Sequence, residues 1–177
     1  LIGLPWRCAS GSAANINDSQ AANETQFALW GCLMAGATVI IHAAGWLEGG
    51  LTVSYEKLVT DMEVLQMVAE MCNGASPDSP ETNLGALAEV SPGGHFFAAQ
   101  HTMARYQTEF YEPLVADWAN FGTWTERGGK TASERATGIW KEIIAANPDL
   151  GHDGARIEAL QSFIEARSAA GGALPES

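Results

Sequence analysis

The chain has 177 residues, 46% of them hydrophobic, which is enough for a soluble domain with a sizeable core. It carries 21 Asp plus Glu against 9 Lys plus Arg, a formal net charge of −12. That balance argues against nucleic acid and anionic membranes as partners, because both recognise clustered Lys and Arg and no basic run occurs.

Residues 1–4 are a short apolar run stopped by Pro5 and read as a strand. The opening LIGLPWR has no charged leader and no cleavage site, so it is not a signal peptide. It also has no initiator Met, and the chain is expected to be a piece of a longer protein. Residues 6–17 are mostly small and polar and read as a loop. Asp18 or Asn17 then caps a helix that runs to about Ala35, with Phe27, Trp30, Leu33 and Met34 as its apolar residues and Gly36 as its stop. Residues 37–43 form an apolar, partly β-branched run without alternation, as in a strand buried on both faces of a parallel sheet. Strand, helix and strand in this order predict a βαβ unit.

Residues 42–50, HAAGWLEGG, set a His, a Trp and a Glu among three glycines at the end of that strand. Gly-rich loops at strand ends are where α/β proteins keep their chemistry. Ser54 caps the next helix, with Glu56 in its first turn where the helix dipole favours an anion. Leu58, Met62, Leu65, Ala69 and Cys72 recur at helical spacing and predict its buried stripe, which Asn73-Gly74 stops. Residues 75–83 read as a polar loop, 81–90 as a short helix, 91–94 as a turn and 95–111 as a helix. Thr131 and Glu134 have capping-box spacing and open a helix with Ala136, Trp140, Ile143 and Ile144 on one side. Asn147-Pro148 ends it. A last helix over 153–167 carries the stripe Ile157, Leu160 and Ile164. The expected organisation is βα units over 1–94, a helical segment over 95–168 and a disordered tail over 169–177.

Three polar clusters are candidates for chemistry. Asp18, Gln20 and Glu24 surround a helix start, with Gln20 and Glu24 on one face. In the second, His42, Trp46 and Glu48, glycines allow close approach and an indole is the best cation-binding ring. In the third, His95, His101 and Tyr106, the histidines are six apart, not the i, i+4 spacing of a helical zinc pair; a zinc site would need Cys32 or Cys72 as well. The chain has no GxSxG, HExxH, Walker loop or strand-borne GxGxxG. Lys57, at a helix start, is no strong Schiff-base candidate. Cys8, Cys32 and Cys72 are odd in number and widely spaced, as expected of reduced thiols in a cytoplasmic protein. No run reaches the roughly 18 apolar residues of a membrane span.

Several blocks together resemble the trimethylamine:corrinoid methyltransferase superfamily. They are Gly3-Leu4-Pro5, NDSQAANE (17–24), HAAGWLEGGLTVSYEKLVTD (42–61), GGHFFAAQHTMARYQTEFYEP (93–113) and the W…RGGKTASERATGIWKEI stretch ending at Ile143. The resemblance implies an α/β fold, the C-terminal part of a (β/α)8 TIM-type barrel with few parallel strands followed by a helical extension. It implies methyl transfer from a methylated amine to Co(I) of a corrinoid carried by a separate protein, with no bound metal in this chain. Founding members hold the amine with pyrrolysine, which would lie near Ser10-Gly11; only standard residues stand here. That departure implies a non-pyrrolysine homologue acting on a quaternary amine such as glycine betaine. On this reading Trp6, Trp46 and Tyr55 are cage walls, Asp18 and Glu48 supply negative charge, and His42 holds a polar end of the donor. Gln20 and Gly45 complete the donor-binding set. A homo-oligomer is expected. The alternatives are a non-catalytic interaction fragment and a metal-dependent hydrolase using His42, His95 and His101.

Overall fold

Helices begin where a side-chain oxygen can take up the first free amides. In the computed structural model of the chain, which describes residues 3–74, 79–147 and 153–171, Asp18 does this for helix α1 (Ser19–Met34). It accepts from the Gln20 amide at 2.9 Å and the Ala21 amide at 3.3 Å. Ser54 caps α2 (Tyr55–Asn73) through the Lys57 amide at 3.2 Å, and Ser79 caps α3 (Pro80–Ala88). The short helices α4 (Gln100–Arg105) and α5 (Phe121–Glu126) precede α6 (Ala132–Ala146) and α7 (Gly154–Ala169). At the start of α6 the predicted capping box closes both ways: Glu134 accepts from the Thr131 amide at 2.8 Å, and Thr131 Oγ1 accepts from the Glu134 amide at 3.3 Å. Asp153 caps α7.

Strands are short and few. β1 (Arg7–Ala9) pairs in parallel with β2 (Val39–Ile41), Cys8 opposite Ile40, with α1 between them in sequence. β3 (Trp46–Leu47) pairs antiparallel with β4 (Thr52–Val53), Trp46 opposite Val53. The expected α/β architecture, a portion of a TIM-type barrel, is therefore overturned. Among the described residues the fold is mostly helical, 58% helix against 6% strand, with only two small two-stranded sheets. The physical reason lies in β2. A central strand of a parallel sheet has a strand at each edge and cover on both faces, yet β2 has one partner among the described residues and Val39 is 52% exposed.

Other boundaries moved as well. The first strand lies at Arg7–Ala9, inside the stretch read as loop; Leu1 and Ile2 fall outside the described residues, and Leu4 is exposed and in no strand. The helix expected over 95–111 is broken into a 3-10 turn, Phe96–Ala98, and α4. The break is at Ala99, which is extended, while Glu89 accepts from the Gln100 amide at 2.8 Å and so starts a new helix there. Residues 75–78, Pro148 and 172–177, parts of the expected loop, helix stop and tail, lie outside the described residues.

The largest difference is on α2. Its predicted apolar stripe is not what it buries: Leu58 and Met62 are 38% and 42% exposed, while Lys57, Val59, Asp61, Glu63 and Val68 are buried. α1 likewise buries Ala21, Thr25, Leu29 and Cys32, leaving Phe27 84% and Met34 81% exposed. Two apolar clusters result, Ala14 with Ala21 and Leu47, and Val59 with Val115 and Ala136, the latter flanked by Ile139 and Trp140. The chain divides into two units, Leu1–Trp140 and Lys141–Ser177. In the second, α7 forms close to the expected span but buries none of its residues, the expected stripe Ile157, Leu160 and Ile164 included. No helix among the described residues is long and apolar enough to cross a membrane.

Glu56 ties α2 to α6. Its carboxylate accepts from Trp140 Nε1 and Thr137 Oγ1, each at 2.8 Å, and from Ser54 Oγ at 3.1 Å. The Trp140 bond first, then the helix-start amide and Thr137, hold the Glu56 carboxyl at about 2, below its ordinary 4.5. A depressed folded-state value stabilises above the unfolded value and is lost as pH falls through the folded one. We therefore expect stability to fall between about pH 4.5 and 2, and Glu56→Gln to flatten that part of the profile, read by urea denaturation at stepped pH.

Candidate functional site

The loops that follow the two parallel strands meet. Ser10 donates its amide to Ile41 O at 3.2 Å, joining the strand ends. The Glu48 amide donates to Ala14 O at 3.0 Å and the Gly49 amide to Ser12 O at 2.9 Å, so residues 10–14 and 42–50 are stitched edge to edge. Ser12 Oγ and the Ala13 amide in turn donate to Glu24 Oε2, each at 2.8 Å. Gln20 donates to the other oxygen at 2.9 Å. The Gln20 and Ser12 bonds hold the Glu24 carboxyl below the usual carboxylate range.

On this double loop His42 and Trp46 stand side by side, ring centroids 4.9 Å apart and planes tilted by 56°. His42 is exposed and Trp46 half-buried. Gly11 lies beside both: a Cβ there would sit 3.7 Å from His42 Cβ and 3.8 Å from Trp46 Cβ. His42 and Glu48 both adopt left-handed backbone, φ 54° and 51°, which non-glycine residues rarely do. Such strain concentrates at functional sites. The Glu48 carboxylate is exposed and accepts from Thr52 Oγ1 at 2.5 Å.

Gly45 is the pivot. Its φ is +83°, its amide donates to Asp61 Oδ2 at 2.9 Å, and its carbonyl accepts from the Ser54 amide at 3.0 Å. A Cβ here would meet Leu58 Cβ at 3.3 Å and Leu58 Cα at 3.5 Å. Gly45→Ala is expected to cost about 1–3 kcal/mol, since it adds left-handed strain to a tight contact with α2; thermal unfolding checks this.

Trp46, His42, Gly45 and Glu48 are thus on one loop. The other expected site residues are elsewhere. Trp6 precedes β1 and its carbonyl accepts from the Thr38 amide at 2.9 Å, at the opposite end of the strand pair. The Tyr55 ring lies 5.1 Å from Trp140. Asp18 is occupied as a cap and Gln20 with Glu24. His95 packs 5.0 Å from Phe97. Among the described residues no group of three His, Cys, Asp or Glu is arranged to hold a metal ion.

A cleft of about 610 Å³ has none of this loop's residues in its lining, which includes Asn17, Asp18, Thr60, Glu63, Asp117 and Arg135. Its charged groups are already engaged. Glu63 accepts from the Val115 and Ala116 amides, Asp117 from the Ala119 amide at 2.8 Å, and Arg135 donates to the carbonyls of Val115 and Lys130. The glycine loop, with an exposed imidazole and carboxylate beside a half-buried indole, is the better candidate for a ligand.

Sequence reasoning missed Lys57, Asp61 and Glu63. Lys57 is fully buried, donating to Asp61 Oδ1 at 2.6 Å and Thr25 Oγ1 at 2.8 Å. Burial raises the Asp61 carboxyl above its ordinary value, opposed by the Lys57 and Gly45 hydrogen bonds. The available signal was the i, i+4 spacing of Lys57 and Asp61, which puts them on one helix face.

The class these features define is a mostly helical protein with an aromatic and acidic glycine-rich loop. The family is shown by comparison: the model for trimethylamine methyltransferase (MTTB) matches residues 1–172, and the chain belongs to that family. It is 30% identical over 168 residues to a glycine betaine methyltransferase of Desulfitobacterium hafniense, covering 94% of this chain and 35% of the relative. It is 34% identical over 169 residues to the trimethylamine methyltransferase MttB2 of Methanosarcina mazei, covering 93% and 33%. The chain spans about a third of the length of these relatives.

Proposed function

We propose that this chain supplies the donor-binding loop of a corrinoid-dependent methyltransferase whose methyl donor is a quaternary amine such as glycine betaine. The observation that carries the reading is the His42–Trp46 pair on a loop pinned at Gly45. Membership of a methyltransferase family supports the reaction class, and the glycine betaine methyltransferase among its relatives supports the donor class. A quaternary ammonium already carries a neutral amine as leaving group. As the methyl carbon bonds to Co(I), which supplies the electron pair, the C–N pair returns to nitrogen and no proton moves. The corrinoid, on its separate protein, enters as a substrate, and no residue of this chain is assigned to hold it.

What remains for the loop is to orient the donor and strip its water. Trp46 offers a π face to the ammonium, Glu48 an anion at the rim, and His42 a donor for the carboxylate end. Asp18 and Gln20 belong to the reading as supports of the opposing loop, through the α1 cap and through Glu24. Trp6, at the far end of the strand pair, and Tyr55, beside Trp140, are left out of this proposal. The test is amide and indole NMR during addition of glycine betaine. Shifts centred on Trp46, His42 and Glu48 are expected. Shifts centred on Asn17, Thr60 and Asp117 would move the site to the 610 Å³ cleft and overturn the assignment.

A second reading, a non-catalytic self-associating segment, is favoured by one observation: Phe27, Met34 and Leu51 stand 84%, 81% and 87% exposed. Burying such surface is worth about 25 cal/mol per Å². Self-association by light scattering without any betaine-induced shift would support it.

A further inference from the structure

Lys57, Thr25 and Asp61 form a buried network directly behind the glycine loop, and the proposed donor chemistry does not use it. Lys57 is 0% and Asp61 3% exposed, so neither side chain meets a ligand. The connections run in one direction. Thr25 on α1 holds the Lys57 ammonium at 2.8 Å, Lys57 holds Asp61 Oδ1 at 2.6 Å, and Asp61 Oδ2 accepts the Gly45 amide at 2.9 Å. Gly45 is the residue before Trp46.

We propose that Asp61, oriented by Lys57, is a positioning residue: it clamps the Gly45 amide and so sets the direction in which Trp46 leaves the loop. The inference rests on the proposed donor site for what that direction serves. Three features single out Gly45 as the point of control. Its left-handed φ of +83° turns the chain, its carbonyl is held by the Ser54 amide, and Leu58 Cβ fills the space beside it. With Oδ1 held by the ammonium and Oδ2 by the amide, the Asp61 carboxylate is anchored at both oxygens, which defines its plane.

A buried ion pair is weak support for stability, since well-packed apolar residues of similar volume are often neutral or better. A buried pair has direction, however, and apolar side chains do not. Stability and positioning can therefore be separated by two paired substitutions. Lys57→Met with Asp61→Leu removes the charges and the acceptor. Lys57→Met with Asp61→Asn removes the charges and keeps an oxygen for the Gly45 amide.

The full chain is labelled with 5-fluorotryptophan, and the Trp46 line is assigned by its loss in Trp46→Phe. A clamp predicts a split or broadened Trp46 line in the Leu pair and a single line near the wild-type position in the Asn pair. Glycine betaine affinity is expected to fall about tenfold or more in the Leu pair and by less than about threefold in the Asn pair. A folded Leu pair with an unchanged Trp46 line overturns the proposal. Should the Leu pair not fold, amide exchange in the wild-type chain decides. Gly45 protected as strongly as the α1 and α2 interiors supports the clamp, and Gly45 exchanging as fast as Gly49 and Gly50 overturns it. A wild type that binds no glycine betaine sinks the donor reading alone, because the fluorine line and the exchange rate still judge the clamp.

Discussion

Asp61→Ala is expected to lower the unfolding free energy by about 3–5 kcal/mol, the usual effect of removing one partner from a buried ion pair. The substitution leaves the Lys57 ammonium buried with only Thr25 as acceptor, and it strips the Gly45 amide of its partner. At about 2–4 °C per kcal/mol for a chain of this size, the midpoint should drop by about 10 °C. Lys57→Ala should cost a similar amount, by isolating the carboxylate instead. Urea denaturation of both single variants beside the Lys57→Met, Asp61→Leu pair is the check. The singles are expected to be far less stable than the pair. Singles within about 1 kcal/mol of wild type would mean that water reaches the network.

Glu63→Ala should cost about 2–4 kcal/mol. Residues 113–119 have no regular structure, and Glu63 is what takes up the Val115 and Ala116 amides. Arg135 Nε donates to Val115 O at 2.7 Å, so side chains satisfy both backbone groups of a residue that is 4% exposed. The Val115 amide, the buried one of the two, costs about 1–3 kcal/mol when left without a partner, whereas exposed Ala116 can turn to water. Val115 also belongs to the cluster with Val59 and Ala136, so releasing it loosens α2 from α6. Glu63→Gln keeps one acceptor oxygen and should cost about half as much. Equal losses for both variants would assign the effect to packing.

The local chemistry of helix ends was legible in the sequence. Asp18, Ser54 and the Thr131–Glu134 box all cap helices as read, because a cap needs only a side-chain oxygen and amides two or three residues on. Long-range pairing was not legible. The run around Val39–Ile41 has the composition of a central strand, but composition does not say whether partners exist on both sides. On α2 the apolar stripe misled, because the buried face is chosen by what it must satisfy: Thr25 on α1, the Gly45 amide and the Val115 amide all need charged partners from α2. The candidate site was legible through HAAGWLEGG, since three glycines around an indole are an unusual local expenditure of conformational freedom. The placement of Trp6 at the far end of the strands depends on β1 starting at Arg7, a register no local signal announces.

The central claim is that Trp46 recognises the positive charge of the donor. Titration calorimetry of wild type and Trp46→Ala, with glycine betaine and with its uncharged-headgroup isostere tert-butylacetate, tests it most directly. A cation–π contact of about 0.5–2 kcal/mol predicts that Trp46→Ala weakens glycine betaine binding by about three- to thirty-fold. Affinity for tert-butylacetate should change little. An equal loss for both ligands would contradict the claim and leave Trp46 as a wall that only fills space.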